Sequence, residues 1–172
     1  MAVARFELAK QKAYEVLGRY DVAEPVVPVR EIAEREGIKV VFFKPKDVTN
    51  SPSKEVSGFY FPDTAEPKIY VNAEDPSTRQ LFTIAHELGH AVLGHKPDQY
   101  NVLWRFSSPI DKDPLEQEAN CFAANLLVPE KMLFVAMKKY NLGHKDNTIL
   151  ASLFGVSPDV MKFRLRWVKN AL

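Results

Sequence analysis

One stretch restricts this chain more than any other: Thr83-Ile84-Ala85-His86-Glu87-Leu88-Gly89-His90-Ala91. On a helix, residues four apart lie one turn above each other on one face. His86 and His90 can therefore aim two imidazoles at a single metal ion. Glu87, one residue on, falls beside such an ion rather than on it, where a carboxylate can take a proton from an activated water. Ala85, Leu88, Val92 and Leu93 pack behind the histidines and hold the helix still. The pattern points to zinc-dependent hydrolysis. Two unrelated histidines on a half-buried helix would leave both the spacing and the carboxylate between them unexplained.

The rest of the chain sets limits. Its 172 residues suit one domain, or one domain with a small appendage. Hydrophobic residues make up 46% and charged residues 26%, enough apolar material to fill a core. A net charge of +1 makes the molecule as a whole no polyanion binder. Cys121 is the only cysteine, so no intrachain disulfide forms. No apolar run approaches membrane-spanning length, and Met1 to Tyr20 lacks the apolar centre and cleavage site of a signal peptide. The expectation is a cytoplasmic protein with no membrane partner. Nothing in the sequence fixes the oligomeric state.

Periodicity and punctuation place the elements. Ala4 to Tyr20 reads as an amphipathic helix, through Phe6, Leu8, Ala9, Ala13, Val16 and Leu17. Pro28 opens a short helix from Val29 to Arg35, stopped by Gly37. Ile38 to Phe43 is a β-branched and aromatic run, hence a strand. Lys46 to Ser53 is a polar loop. Val56 to Phe61 and Lys68 to Asn72 are two more strands, joined by Pro62-Asp63-Thr64-Ala65-Glu66-Pro67 into a hairpin. The metal helix should run from about Pro76 to Leu93, with Asp75 as its N-cap, and stop near Gly94. An edge strand beside it, for which Gly58 to Phe61 is the candidate, offers strand addition to an extended peptide; an ordinary sheet strand is the plainer reading. The fold class is α+β: helices on a small, mostly antiparallel three-stranded sheet.

Catalytic zinc takes three protein ligands and leaves one position open. The third ligand should come from the helix after Asp113-Pro114, where Leu115, Ala119, Phe122, Ala123, Leu126 and Leu127 form a core-facing stripe. Glu116 lies on the inner side and shares a face with Asn120, which can hydrogen-bond a ligand histidine. Glu118 points about half a turn away from Glu116, so both carboxylates cannot bind one ion. Glu116 is taken as the ligand and Glu118 as the lesser option. Cys121 is of the right chemical type but points away from that face, and reads as a small core residue.

Two segments occurring in order and in register carry a resemblance: Ile84-Ala85-His86-Glu87-Leu88-Gly89-His90-Ala91-Val92-Leu93-Gly94-His95 and Glu116-Gln117-Glu118-Ala119-Asn120-Cys121-Phe122-Ala123-Ala124-Asn125-Leu126-Leu127-Val128-Pro129. Together they resemble the ImmA/IrrE family of metallo-endopeptidases, in outline over residues 25 to 170. The resemblance implies a zincin-like fold, Zn2+ as cofactor, His86, His90 and Glu116 as metal ligands, and Glu87 as the catalytic base. It also implies a protein substrate, a helix-turn-helix transcriptional repressor whose inactivation derepresses genes of a mobile element or a stress response.

An oxyanion-stabilising group is not identified: His95, Tyr100, Arg105 and His144 have suitable chemistry, and each reads more readily as a surface or structural residue. The segment from His95 to Asp113 is loop-like yet apolar, through Tyr100, Val102, Leu103, Trp104 and Phe106; it covers the cleft or packs on the core. Glu130 to Lys139 reads as a helix. Asn147 to Trp167 then reads as helix-turn-helix-like, with a turn at Gly155, an N-cap at Ser157 and cations at Lys162, Arg164, Arg166 and Lys169. The chain divides into a metallopeptidase domain over 1–140 and a helix-turn-helix-like segment over 141–172 packed on the same core. In that arrangement Met161, Phe163, Leu165 and Trp167 are buried and the cations solvated. Nucleic acid binding is not favoured. The alternative to an endopeptidase is a DNA-binding or partner-binding regulator with a non-catalytic zinc site.

Overall fold

The computed structural model describes residues 3–47, 56–63, 65–95 and 113–169. Within them the chain forms seven α-helices and three strands. In chain order these are α1 (Phe6–Arg19), α2 (Val29–Arg35), β1 (Lys39–Phe43), β2 (Gly58–Phe61), β3 (Lys68–Asn72), α3 (Ser77–Val92), α4 (Pro114–Leu127), α5 (Glu130–Tyr140), α6 (Asn147–Phe154) and α7 (Pro158–Lys169). The fold is α+β and zincin-like. Every element predicted from periodicity is present, with ends displaced by at most a few residues. The Lys96 to Lys112 segment, and with it Tyr100 and Arg105, lies outside the described residues.

The sheet has the order β1-β3-β2 and is mixed. β2 and β3 form the expected antiparallel hairpin, with Phe59 opposite Tyr70. β1 runs parallel to β3, with Val41 opposite Tyr70. β3 takes the centre, and β1 lies along its other edge. Period-two alternation sends Val40, Ile69 and Val71 into the core. The opposite face carries Phe59 stacked on Tyr70 with ring centroids 4.7 Å apart, and Phe43 6.0 Å from Phe59.

The helices build outward from the sheet. α3 lies against β2 and β3, α4 packs on α3, and α1 packs on α4. Small side chains permit the last approach: Ala9, Ala13 and Val16 of α1 are completely buried. α4 sits between α1 and α3 and is buried almost all round, its polar residues included. Leu115 is the exception, 38% exposed where a core position was expected. α4 starts as its sequence demands. Asp113 caps it, accepting a hydrogen bond from the Leu115 N–H at 2.9 Å, and Pro114 occupies the first turn. α3 begins one residue later than expected, with Pro76 rather than Asp75 at the cap position.

α6 and α7 pack on this core rather than standing apart from it. Leu150, Ala151, Phe154, Val156, Met161, Leu165 and Val168 all belong to the buried cluster. Two expectations for α7 are corrected. Phe163 and Trp167 are 40% and 39% exposed rather than buried, Trp167 meeting Phe6 edge-on at 5.1 Å. Arg164, expected in solvent, is 3% exposed. Its Nε donates to the Val128 carbonyl at 2.9 Å, and its Nη2 lies 3.3 Å from the Tyr14 hydroxyl. That carbonyl lies just past the last turn of α4, where helix carbonyls lack intrahelical partners, so a cation there completes the helix end. Lys162 and Arg166 remain exposed. No helix of the described residues is long and apolar enough to cross a membrane.

Candidate metal centre

α3 and α4 face each other across the site. His86 and His90, one turn apart on α3, meet Glu116 from the first turn of α4. One ligating atom from each lies within 4.8 Å of the others, and all three residues are buried. The individual separations are tighter. His86 Nε2 is 2.9 Å from His90 Nε2, His90 Nε2 is 3.2 Å from one Glu116 carboxylate oxygen, and His86 Nε2 is 3.5 Å from the other. Four ligands at about 2.0–2.2 Å from a tetrahedral zinc ion stand roughly 3.3–3.6 Å from one another. The observed triangle has nearly that size. Two imidazole nitrogens and one carboxylate oxygen are also the donor set of a three-ligand catalytic zinc site.

Gly89 sets the distance between the two helices. A Cβ there would stand 3.0 Å from Cδ1 and 3.2 Å from Cγ of Phe122, on α4. Any larger residue there would press on the Phe122 ring, and the close approach of the helices brings Glu116 within reach of the histidines.

Each histidine has an outer neighbour at its Nδ1. His86 Nδ1 donates to the Asn120 side-chain oxygen at 2.8 Å. That bond leaves the Nε2 lone pair directed inward, the arrangement a metal ligand requires. His90 Nδ1 lies 2.9 Å from His95 Nδ1. His95 Nε2 lies 3.1 Å from a Glu118 oxygen. Glu118 is bound in turn by Arg5, through its backbone N–H at 2.8 Å, Nε at 3.1 and 3.2 Å, and Nη2 at 2.8 Å. Burial pushes the Glu118 carboxyl up, but the Arg5 donors and His95 outweigh it and hold the group down at about 2. Burial keeps His95 below its ordinary value, with Glu118 only partly opposing.

His95 was not expected here, since it lies five residues past His90 and beyond the helical repeat. The helix end explains its position. Gly94 adopts φ +69°, and the His95 N–H returns to the His90 carbonyl at 2.9 Å. This left-handed closure folds the chain back over the last turn. Leu93-Gly94-His95 carried the signal: a glycine just after the apolar repeat announces such a turn, and the next residue comes back against it. Glu118, the lesser option for the third ligand, faces α1 and serves His95. Cys121 also faces α1, with its Sγ 3.6 Å from the Phe6 carbonyl, and is not among the converging groups. His144 lies in the turn before α6. Glu87 is 1% exposed, and it is not one of the three converging residues.

A model of the IrrE N-terminal-like domain, Peptidase_M78, matches residues 33–166. The chain belongs to this family. Metallopeptidase ImmA of Bacillus subtilis (strain 168) is 32% identical over 111 residues, a stretch covering 64% of this chain and 63% of that protein. The uncharacterized immunity region protein 2 of Bacillus phage phi105 is 36% identical over 76 residues, 44% of this chain and 47% of that one. The chain thus spans less than two thirds of either relative. Among solved structures, a Mycobacterium tuberculosis transcriptional regulator superposes with a TM-score of 0.59 over 90% of this chain and 45% of its own, at 19% identity. That likeness is one of fold. A peptidase family match together with the buried cluster of His86, His90 and Glu116 points to a metal ion at this place.

Proposed function

We propose that the chain is a zinc-dependent endopeptidase that cleaves a protein substrate, a helix-turn-helix transcriptional repressor, in the cytoplasm. His86, His90 and Glu116 hold the ion, and Glu87 is the catalytic base. Residues 1–140 form the peptidase domain and 141–172 a segment packed on its core. The observation carrying this reading is the buried Glu87 carboxylate. It sits on the metal helix between two histidines yet outside the set that converges on the ion site. A purely structural zinc site needs no such group. Bound zinc supplies Lewis acidity, polarising a carbonyl and acidifying water. Glu87 takes the proton of the attacking water and hands it to the leaving amine. Asn120 and His95 hold the two imidazoles in the tautomer that binds metal.

The repressor substrate rests on family membership and on the names of the relatives, one a metallopeptidase and one a phage immunity-region protein. The test mixes zinc-loaded chain with candidate helix-turn-helix repressors, beginning with any encoded beside it, and follows the products by mass spectrometry. Cleavage should occur at one or a few bonds, and Glu87→Gln should slow it by about 10²–10⁴-fold. A Glu87→Gln chain that still inactivates the repressor would refute proteolysis. It would favour the alternative of a partner-binding regulator, and band shifts with operator DNA would separate that from a DNA-binding one.

A further inference from the structure

The hydrogen-bond directions behind His90 can be fixed from its far end. Arg5 offers only donors to Glu118, from its guanidinium and its backbone N–H. Both Glu118 oxygens therefore accept. His95 Nε2, 3.1 Å from Oε2, must donate. A neutral imidazole with its proton on Nε2 presents a lone pair at Nδ1. His90 Nδ1, 2.9 Å away, must then supply the proton of that bond. The Nε2 lone pair of His90 is left directed at Glu116 and at His86. With His95 neutral each step has one solution, and the series runs from an exposed arginine to the metal-facing atom.

We propose that Arg5, Glu118 and His95 form a directional positioning relay that locks the tautomer and ring rotation of His90 for metal binding. Its outermost member comes from outside the family's matched region. The match begins at residue 33, whereas Arg5 stands just before α1. The relay thus couples the site's metal affinity to the docking of α1 on α4. His86 needs one partner for the same purpose, Asn120 on α4 itself. His90 has a chain of three, because the residue folded back over it at Gly94 is another histidine, whose own tautomer must be set in turn.

The proposal rests on the reading that His86, His90 and Glu116 hold zinc. The test therefore measures zinc affinity of the full chain by competition with a chromogenic chelator, together with the ¹⁵N shifts of the His90 ring nitrogens in the zinc-free and zinc-loaded forms. His95→Phe keeps the bulk and removes the acceptor; zinc should bind about 10–100-fold more weakly. His95→Asn restores an oxygen near the Nδ1 position and should recover most of that loss. Arg5→Met, on a residue whose side chain is half exposed, should leave the fold intact, weaken zinc by a smaller factor and broaden the His90 tautomer signal. Parent chain that binds zinc, with Arg5→Met and His95→Phe both within about twofold of it, would overturn the relay alone. Equal losses in His95→Phe and His95→Asn would also overturn it, since only packing would then matter. A parent chain that binds no zinc would overturn the metal reading and the relay with it.

Discussion

Asn120→Leu tests how far the site depends on one outer hydrogen bond. The substitution keeps the side chain's size and removes the oxygen that accepts from His86 Nδ1 at 2.8 Å. His86 is fully buried, so no solvent replaces the lost acceptor. A buried donor left unsatisfied costs about 1–3 kcal/mol. At 1.4 kcal/mol per decade that is roughly 5–150-fold in affinity, in line with the 10–100-fold effects of outer neighbours in metal sites. The structure also says where the cost falls. Without zinc, His86 can move its proton to Nε2 and donate to His90 Nε2, 2.9 Å away. The zinc-free fold keeps a hydrogen bond and loses little. With zinc the proton must return to Nδ1, where it meets a leucine side chain. Chelator competition should therefore show zinc bound roughly 10–100-fold more weakly, while thermal unfolding of the zinc-free form shifts by no more than a few degrees. Zinc affinity within about twofold of the parent would refute the tautomer argument. So would a loss of zinc-free stability as large as the loss in binding, because the bond would then be serving the fold.

Four further outcomes follow from the packing and charge. Gly89→Ala puts a methyl group 3.0 Å from the Phe122 ring, which is fully buried; overpacking of about 1–3 kcal/mol should outweigh a helix-propensity gain of about 1 kcal/mol, giving a net loss in urea unfolding and weaker zinc binding. Arg164→Met keeps the stem but leaves the Val128 carbonyl without its cation, and should cost about 1–3 kcal/mol by the same measurement. Cys121 is buried and its thiol pushed up to about 11, so a thiol reagent should label it only on the unfolding timescale, with or without zinc. Burial would raise the Glu36 carboxyl, but Arg19 and Tyr20 bind it more strongly and hold it low. Its stabilisation is therefore present above the ordinary carboxylate range and is lost as pH falls through its lowered value; Glu36→Gln should flatten that acid limb of the stability curve.

The sequence was most legible where periodicity and punctuation agree. α2 and β3 fall where Pro28, Gly37 and the apolar alternation placed them, and Asp113-Pro114 announced the start of α4. The histidine spacing and the facing of Glu116 were legible for the same reason, since both follow from one turn of helix. The parallel pairing of β1 was not, because strand order depends on which strand takes the centre of the sheet. Exposure of Phe163 and Trp167 and burial of Arg164 escaped too. An alternating charged and aromatic run on α7 reads as a buried aromatic face with solvated cations until the end of α4 is seen beside it. The His95 relay was hidden for a different reason. It needs a turn that reverses the chain, a residue two positions from a ligand on the far face of α4, and an arginine 113 residues away from it in sequence.

The Arg164 and His95 misses converge on α4. One face supplies Glu116 and Asn120 to α3, the other supplies Glu118 and Cys121 to α1, and the carbonyl just past its end takes Arg164 of α7. Tyr14 of α1 links the last two partners, since its hydroxyl meets both the Glu130 N–H and Arg164 Nη2 at 3.3 Å. A helix fixed along both faces and at its end cannot rotate to follow a ligand. The positions of Glu116 and Asn120 are therefore set before metal arrives, and α1 and α7 contribute to the site without touching it. This explains why the cations of α7 do not all face solvent, as a DNA-reading helix would need. Arg164, at the centre of that helix, is committed to the end of α4. A substitution at the α1–α4 or α7–α4 contact should accordingly lower zinc affinity as well as stability, whereas one on the outer face of the sheet, at Phe59 or Tyr70, should change stability alone.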